Sequence, residues 1–263
     1  MCPGENMKKN RNILAVGCHP DDIEFMCSGT LKLLKDRGYR IYMGIIAKGD
    51  CGSAVYNLVD TTLIRRKEAK EAAKLIDAEL IMMGESDLRI FFDDMTKMKV
   101  TELIRKTDPL IVFTHPHEDY MEDHEVTSRL VRHACFSAPI PNYLTFDKNP
   151  APPTRQIPYL YYFAPIDGKN IYGEFVPQRI YVNITDVVDF KADMLACHRS
   201  QKDWLFKQHG MDMYTENMKR TALLYGKDSG FKYAEGFTQH RGNAFPQNNI
   251  LKEVLGDLLI EKE

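Results

Sequence analysis

Short apolar runs alternate with amphipathic segments through the first half of the chain. Runs such as NILAVGC at 12–18 are apolar, short and followed by a turn, as buried strands are. The segment TLIRRKEAKEAAKLID at 62–77 instead has the composition and spacing of a helix. The alternation of the two patterns predicts an α/β fold with a mostly parallel sheet and helices on both faces.

Four strands and four helices are expected before residue 138. Ser28 is predicted to cap the first helix and Gly38 to end it. The strands are predicted at 12–18, 40–47, 79–84 and 109–115, and the helices at about 28–37, 62–77, 94–106 and 124–136.

The pattern changes after Ala138, where proline becomes frequent and no period is clear. We interpret 138–158 as a long surface excursion. Beyond it we expect C-terminal strands and helices on the same domain. They are two strands at 159–163 and 179–185, a helix at about 186–199, and a tail from 200 that mixes helix and loop.

Length and composition favour one large domain over two. Of the 263 residues, 44% are apolar, which is enough for one sizeable core. No internal repeat divides the chain. We therefore predict a single domain over 1–263, with a core at about 12–137 and a C-terminal elaboration at about 138–263.

Charge and cysteine usage exclude several classes of partner. Lysine and arginine number 35 against 37 acidic residues, so neither nucleic acid nor an anionic membrane is expected as the main partner. No run of 18 apolar residues predicts a membrane span. The six cysteines form no C-x-x-C pair and are expected as free thiols. We expect a soluble cytoplasmic protein.

Histidines and carboxylates follow two of the predicted strands. The motif HPDD at 19–22 follows the first strand, and THPHEDYMEDHE at 114–125 follows the fourth. Ligands of open α/β sheets bind beyond the carboxyl ends of the strands. The first and fourth strands are neighbours in the commonest doubly wound order, so we expect these two loops to meet.

The residue types in these loops suit a divalent transition metal such as zinc. Two histidines and one carboxylate leave an open position at which a metal lowers the pKa of water. The side chains of Asp21 and Asp22 diverge, so one can bind metal while the other takes a proton. Taken alone, HPDD also fits a solvated turn. The candidates are His19, Asp21, Asp22, His115, His117, Asp119, Asp123 and His124.

Cys18 adjoins the first of these motifs and is considered as a further ligand. Neighbouring side chains at a strand end point in opposite directions. We therefore expect the side chain of Cys18 to be buried and to point away from that of His19.

Five motifs occur in order along the chain: AVGCHPDDIE, RRKEA from Arg65, DYMEDH, NITD followed by HRSQ, and AEGF. Together they resemble the PIG-L/LmbE-like family of metal-dependent N-deacetylases, which act on N-acetylglucosamine-type amino sugars. The resemblance implies a Rossmann-like sheet and a zinc ion bound by His19, Asp22 and His124. It also implies that Asp21 is the general base and that Asp123 orients a neighbouring group.

One position departs from the family pattern. Many members have H-P-D-H, whose first histidine lies near the developing oxyanion, and Met121 occupies that position here. A thioether cannot donate a hydrogen bond. His115 or His117 substitutes from the same loop, or another subunit supplies the donor, or the enzyme is slow on the usual substrates.

Arg65 is a candidate substrate-binding residue. It continues the helical stripe of Ala69, Ala72 and Ile76, which predicts that its side chain starts on the buried face. Its guanidinium either snorkels to water or points into the site, with Glu68 as a local partner. The family pattern favours the second. His115, His117 and His198 complete the predicted substrate-binding set.

The function expected is a zinc-dependent hydrolase that removes the N-acetyl group from an amino sugar or glycoconjugate. The alternative is a non-catalytic, metal-containing protein that binds a sugar or nucleotide. A dinucleotide enzyme is disfavoured because no G-x-G-x-x-G follows the first strand. We also predict a homo-oligomer, because the excursion carries the apolar residues Ile140, Tyr143, Leu144 and Phe146.

Overall fold

A single sheet of eight strands organises the computed structural model, which describes residues 10–201 and 214–262. The part of the predicted tail at 202–213 lies outside the described residues. The strands are β1 (Asn12–Gly17), β2 (Arg40–Ala47), β3 (Glu79–Glu85), β4 (Ile111–Thr114), β5 (Tyr159–Phe163), β6 (Ile180–Asn183), β7 (Ala234–Gln239) and β8 (Leu259–Glu261). Their order across the sheet is β3-β2-β1-β4-β5-β7-β6-β8.

The strands from β3 to β5 in this order are parallel, and the three remaining pairings are antiparallel. The α-helices of the described residues are α1 (Asp22–Met26), α2 (Ser28–Asp36), α3 (Leu58–Leu75), α4 (Asp94–Thr107), α5 (Glu122–Ser137), α6 (Val188–Leu195), α7 (Tyr214–Ser229) and α8 (Ile250–Leu255).

Helices cover both faces of the sheet. Alternate residues of a strand point to opposite faces, and β1 shows this directly. Ile13 and Ala15 pack in a cluster with residues of α2, α3 and α8, whereas Leu14 and Val16 pack with residues of α4 and α5. The predicted α/β fold, with a mostly parallel sheet between two helical layers, is confirmed.

Helix starts differ from the predictions for local reasons. Ser28 is the first residue of α2 and Cys27 is the N-cap, so the predicted cap is wrong. The Ser28 hydroxyl instead donates a hydrogen bond to the Glu24 carbonyl at 2.7 Å. The short helix α1 was not predicted. Helix α3 begins at Leu58 rather than at 62, because the Asn57 side chain accepts hydrogen bonds from the first turn.

Strand β7 corrects the expectation that the tail contains only helix and loop. It lies between β5 and β6, antiparallel to both. Its Glu235 is buried and accepts hydrogen bonds from the backbone N–H groups of Gly29 and Thr30, at 3.0 and 2.7 Å. Lys191 Nζ pairs with the same carboxylate at 2.5 Å. A buried charge inside the strand hides the apolar pattern by which strands are recognised.

The excursion at 138–158 contains no helix or strand, as predicted, but it is anchored to α4. Arg105 donates to the carbonyls of Ala138 and Ile140, at 3.0 and 2.8 Å. Glu102 accepts from the Thr145 hydroxyl at 2.6 Å. Among the helices of the described residues, none has the length and apolar character needed to cross a membrane.

Candidate active site

The loops that carry the two histidine motifs meet at the carboxyl edge of the sheet, because β1 pairs with β4. Gly17 permits the first loop to fold back, since a Cβ there would lie 3.0 Å from Cβ of Asp22. Asp21 follows with φ of 115°, a backbone conformation that non-glycine residues rarely adopt. Strain of this kind concentrates at functional sites.

The three predicted metal ligands converge. Donor atoms of His19, Asp22 and His124 all lie within 4.8 Å of one another, and all three residues are buried. His19 Nδ1 is 3.7 Å from Asp22 Oδ2, and His124 Nε2 is 3.6 Å from Asp22 Oδ1. Tetrahedral zinc with nitrogen and oxygen ligands separates its donor atoms by about 3.3 Å. The arrangement therefore fits a metal of this size with little movement.

Each of the two histidines predicted as ligands has a carboxylate on its other ring nitrogen. His19 Nε2 lies 3.2 Å from Asp123 Oδ2, and His124 Nδ1 lies 2.9 Å from Asp119 Oδ1. Such carboxylates fix the orientation of a histidine and leave its free nitrogen to the metal. Asp123 is therefore placed to orient His19. The pairing of Asp119 with His124 was not predicted, although Asp119 was among the candidates.

Proton binding competes with metal binding at His124. Burial opposes the charged imidazole, but Asp22 and Asp119 raise the pKa of His124 to about 9. A metal must displace that proton, as ligand histidines bind metals in the neutral form.

Other groupings of donor atoms occur nearby. Cys18 is buried as predicted, but its Sγ lies 3.6 Å from His19 Nε2, so the expectation that the two side chains diverge is wrong.

A separate cluster is formed by Asp50, Cys51 and Asp87. In that cluster the oxygens of Asp87 accept hydrogen bonds from the backbone N–H groups of Gly49 and Cys51, at 2.8 and 3.0 Å. These bonds hold the loop at 49–51 in place, so the cluster has a structural explanation.

Asp21, next to Asp22 in the first loop, has a set of partners of its own. Its Oδ2 accepts a hydrogen bond from the Tyr214 hydroxyl at 2.6 Å, and its Oδ1 lies 3.2 Å from Nη2 of Arg65. Burial raises the pKa of Asp21, and Arg65 opposes that rise. The role of Tyr214 was not predicted, because it lies far along the chain and in none of the motifs.

Arg65 is 3% exposed, so the snorkelling alternative is wrong. Besides pairing with Asp21, its Nη2 donates to the Pro20 carbonyl. Gly49, with φ of 75°, makes room for it, since a Cβ there would lie 2.6 Å from the Arg65 side chain. The Glu68 carboxylate binds Ser200 through its N–H and hydroxyl, at 2.9 and 2.6 Å, rather than Arg65.

The three histidines predicted to contact substrate have protein partners. His115 is buried, with Nε2 3.0 Å from Asp22 Oδ2, and its ring stacks on that of His124. His198 is buried against Glu24, at 3.1 Å. His117 lies 3.2 Å from the Ser128 hydroxyl. Direct contact of these histidines, or of Arg65, with substrate stays a prediction.

Replacing Arg65 with alanine should move the acidic limb of the kcat/KM profile to higher pH. Burial raises the pKa of Asp21, Arg65 lowers it, Asp22 raises it, and His198 and Tyr214 lower it. Loss of the arginine removes the largest lowering contribution, so Asp21 ionises only at higher pH. Since only the ionised carboxylate accepts a proton, activity at low pH falls. The pH dependence of kcat/KM and the metal content, which should not change, test this.

Arg66 is the matched control, because it is exposed on the same helix. Arg66→Ala should keep the parent profile. A parent-like acidic limb and kcat/KM in Arg65→Ala would show that the arginine does not act on Asp21 or on substrate.

Comparison with known proteins finds one matching family, similar deacetylases and a hydratase of similar fold. Residues 14–135 match the PIG-L family, described as GlcNAc-PI de-N-acetylase. The diacetylchitobiose deacetylase of Thermococcus kodakarensis is 27% identical over 246 residues, covering 89% of this chain and 84% of that protein.

Two solved structures show the same fold. The N,N'-diacetylchitobiose deacetylase of Pyrococcus horikoshii aligns with a TM-score of 0.75 at 23% identity, covering 93% of this chain and 90% of that one. The 4-carboxy-2-hydroxymuconate hydratase of Pseudomonas putida aligns with a TM-score of 0.71 at 22% identity, covering 90% and 97%. The match of residues 14–135 to the PIG-L family and the similarity to a deacetylase confirm the resemblance inferred from the motifs.

Proposed function

We propose, from the match of residues 14–135 to the PIG-L family, that this protein hydrolyses the N-acetyl group of an amino sugar or glycoconjugate. The observation that carries the proposal is the pairing of a buried two-histidine, one-carboxylate cluster with an adjacent second carboxylate, Asp21. The similarity to a diacetylchitobiose deacetylase supports the same class of substrate.

The metal fits the residues present. His19, Asp22 and His124 would hold a divalent ion, for which zinc is the proposed identity, because imidazole and carboxylate suit it. When bound, such an ion supplies Lewis acidity toward the acetyl carbonyl and toward water. Asp123 and Asp119 hold the two histidines in the orientation that binding requires.

Asp21 is proposed as the general base. It takes a proton from the attacking water as the carbon–oxygen bond forms, and it returns a proton to the amine nitrogen as the carbon–nitrogen bond breaks. The products are acetate and the free amino sugar. Tyr214 and Arg65 both contact the Asp21 carboxylate, which fixes its position before substrate arrives.

Acetate release from a panel of N-acetylated amino sugars and their glycosides tests the proposal. Release that vanishes on chelation and returns when zinc is added back is the expected result. A protein that binds sugars without releasing acetate would instead match the non-catalytic alternative. Because a hydratase shares the fold, the panel should include an unsaturated carboxylic acid, whose hydration would contradict the proposal.

A homo-oligomer is the proposed assembly. The anchored excursion leaves Leu144 60% and Phe146 79% exposed, and large exposed apolar groups commonly mark interfaces. Light scattering should give a mass that is a multiple of 30.3 kDa. Phe146→Asp should lower that mass, because a carboxylate cannot be buried without a partner.

Tyr172→Asp is the control for this prediction, as Tyr172 is 78% exposed but lies outside the excursion. Its mass should equal that of the parent. A parent mass of one chain at working concentration would exclude the oligomer.

A further inference from the structure

A preorganised hydrogen-bond donor stabilises the carbonyl oxygen of an amide as that oxygen gains negative charge. Met121, at the position where many PIG-L/LmbE-like proteins have histidine, cannot be that donor. Beside the Lewis acidity that a bound metal would supply, the proposed function would therefore be assisted by another group near His19, Asp22 and His124 that has a free N–H or O–H.

Most other donors at this edge of the sheet are engaged or buried. Arg65 is bound to Asp21 and to a backbone carbonyl, and its remaining Nε is buried without a partner. Tyr214 is bound to Asp21. His115 has Nε2 against Asp22 and a buried, unpartnered Nδ1, and His117 lies against the Ser128 hydroxyl.

Tyr120 differs from all of these. It is 68% exposed, and its hydroxyl has no hydrogen-bond partner among the described residues. Its ring meets the ring of His124 edge-on, with centroids 5.4 Å apart and planes at 86°.

The backbone around Tyr120 is held by its neighbour. Asp119 Oδ1 accepts from the Met121 N–H at 3.3 Å and lies 2.9 Å from His124 Nδ1. One carboxylate therefore positions both the ligand histidine and the loop that carries Tyr120. A side chain exposed to solvent, yet packed on a predicted metal ligand, is available to an incoming substrate.

We propose that the Tyr120 hydroxyl donates the hydrogen bond to the acetyl carbonyl oxygen that Met121 cannot provide. This inference rests on the proposed deacetylase function. The hydroxyl acts as a donor only. It keeps its proton throughout, and the proton exchanges of hydrolysis stay with water, Asp21 and the departing amine.

Tyr120→Phe tests the proposal, because it removes the hydroxyl and keeps the ring that packs on His124. The expected result is a fall in kcat of about 100- to 1,000-fold with KM within a few-fold of the parent. Metal content should equal that of the parent. Binding of a tetrahedral methylphosphonate analogue, measured by calorimetry, should weaken by a similar factor, because its oxygens mimic the developing charge.

Two further variants separate a donor from a packing role. Adding Met121→His to Tyr120→Phe restores a donor from the adjacent residue and should recover part of the lost kcat. Tyr172→Phe removes another exposed hydroxyl and should leave kcat and analogue binding unchanged.

The outcomes distinguish the inference from the function on which it rests. A parent that releases acetate, with kcat and analogue affinity unchanged in Tyr120→Phe, overturns the role of Tyr120 and leaves the deacetylase proposal standing. A parent that releases acetate from no member of the substrate panel overturns both.

Discussion

Asp21→Asn should lower kcat by about 100- to 10,000-fold while the fold and the metal content stay at parent levels. Asparagine has the shape of aspartate and can still accept the hydrogen bond from Tyr214 through its amide oxygen. It cannot take a proton from water. Since Asp21 is not one of the three clustered ligands, its change should leave metal binding intact.

The measurements are kcat on a substrate that the panel identifies, metal content by elemental analysis, and the thermal midpoint. Asp257→Asn is the control, because Asp257 is exposed. Its kcat should equal that of the parent. Turnover of Asp21→Asn within a few-fold of the parent would place the base at another residue.

His124→Ala should abolish stoichiometric metal binding, and turnover should be lost with it. The change removes one of three ligands and leaves Asp119 Oδ1 facing an empty space instead of an imidazole. Elemental analysis of protein purified without added metal measures the effect directly. Full metal occupancy in this variant would exclude the proposed ligand set.

His133→Ala controls for loss of a histidine from the same helix. His133 is partly buried, and its Nε2 lies 3.1 Å from the hydroxyl of Tyr143, away from the ligand cluster. Its metal content should match that of the parent. Near-complete metal loss in both variants would indicate unfolding rather than loss of a ligand, and the thermal midpoints would show it.

The parallel half of the sheet could be predicted because its strands form short apolar runs, and β1, β4 and β5 are almost entirely buried. The meeting of the two motifs could be predicted as well, since it needs only strand order and the carboxyl-edge rule. Strand β7 could not be predicted, because the charged Glu235 interrupts its apolar pattern. Its charge is balanced by Lys191, a residue more than 40 positions earlier. Pairings across such distances leave no periodic signal.

The same limit applies inside the candidate site. The helical stripe correctly placed the stem of Arg65 on the buried face, but it could not reveal that Asp21 and the Pro20 carbonyl receive the guanidinium. Glu68 was expected beside Arg65 and instead binds Ser200, since residues from a distant segment compete for the same carboxylate. Tyr214 contacts Asp21 only because the folded chain returns to the first loop.

The contact between Tyr214 and Asp21 bears on which parts of the gene must be inherited together for the proposed activity. All three proposed metal ligands fall within residues 14–135, yet the hydroxyl that holds the proposed base comes from α7. β4 would also lose its pairing with β5 if the gene were cut after that segment. A shuffled gene fragment ending there would encode a complete ligand set with a misplaced base. Recombination between homologues should therefore conserve activity only where the segment at 14–135 and the segment that contains α7 are exchanged together.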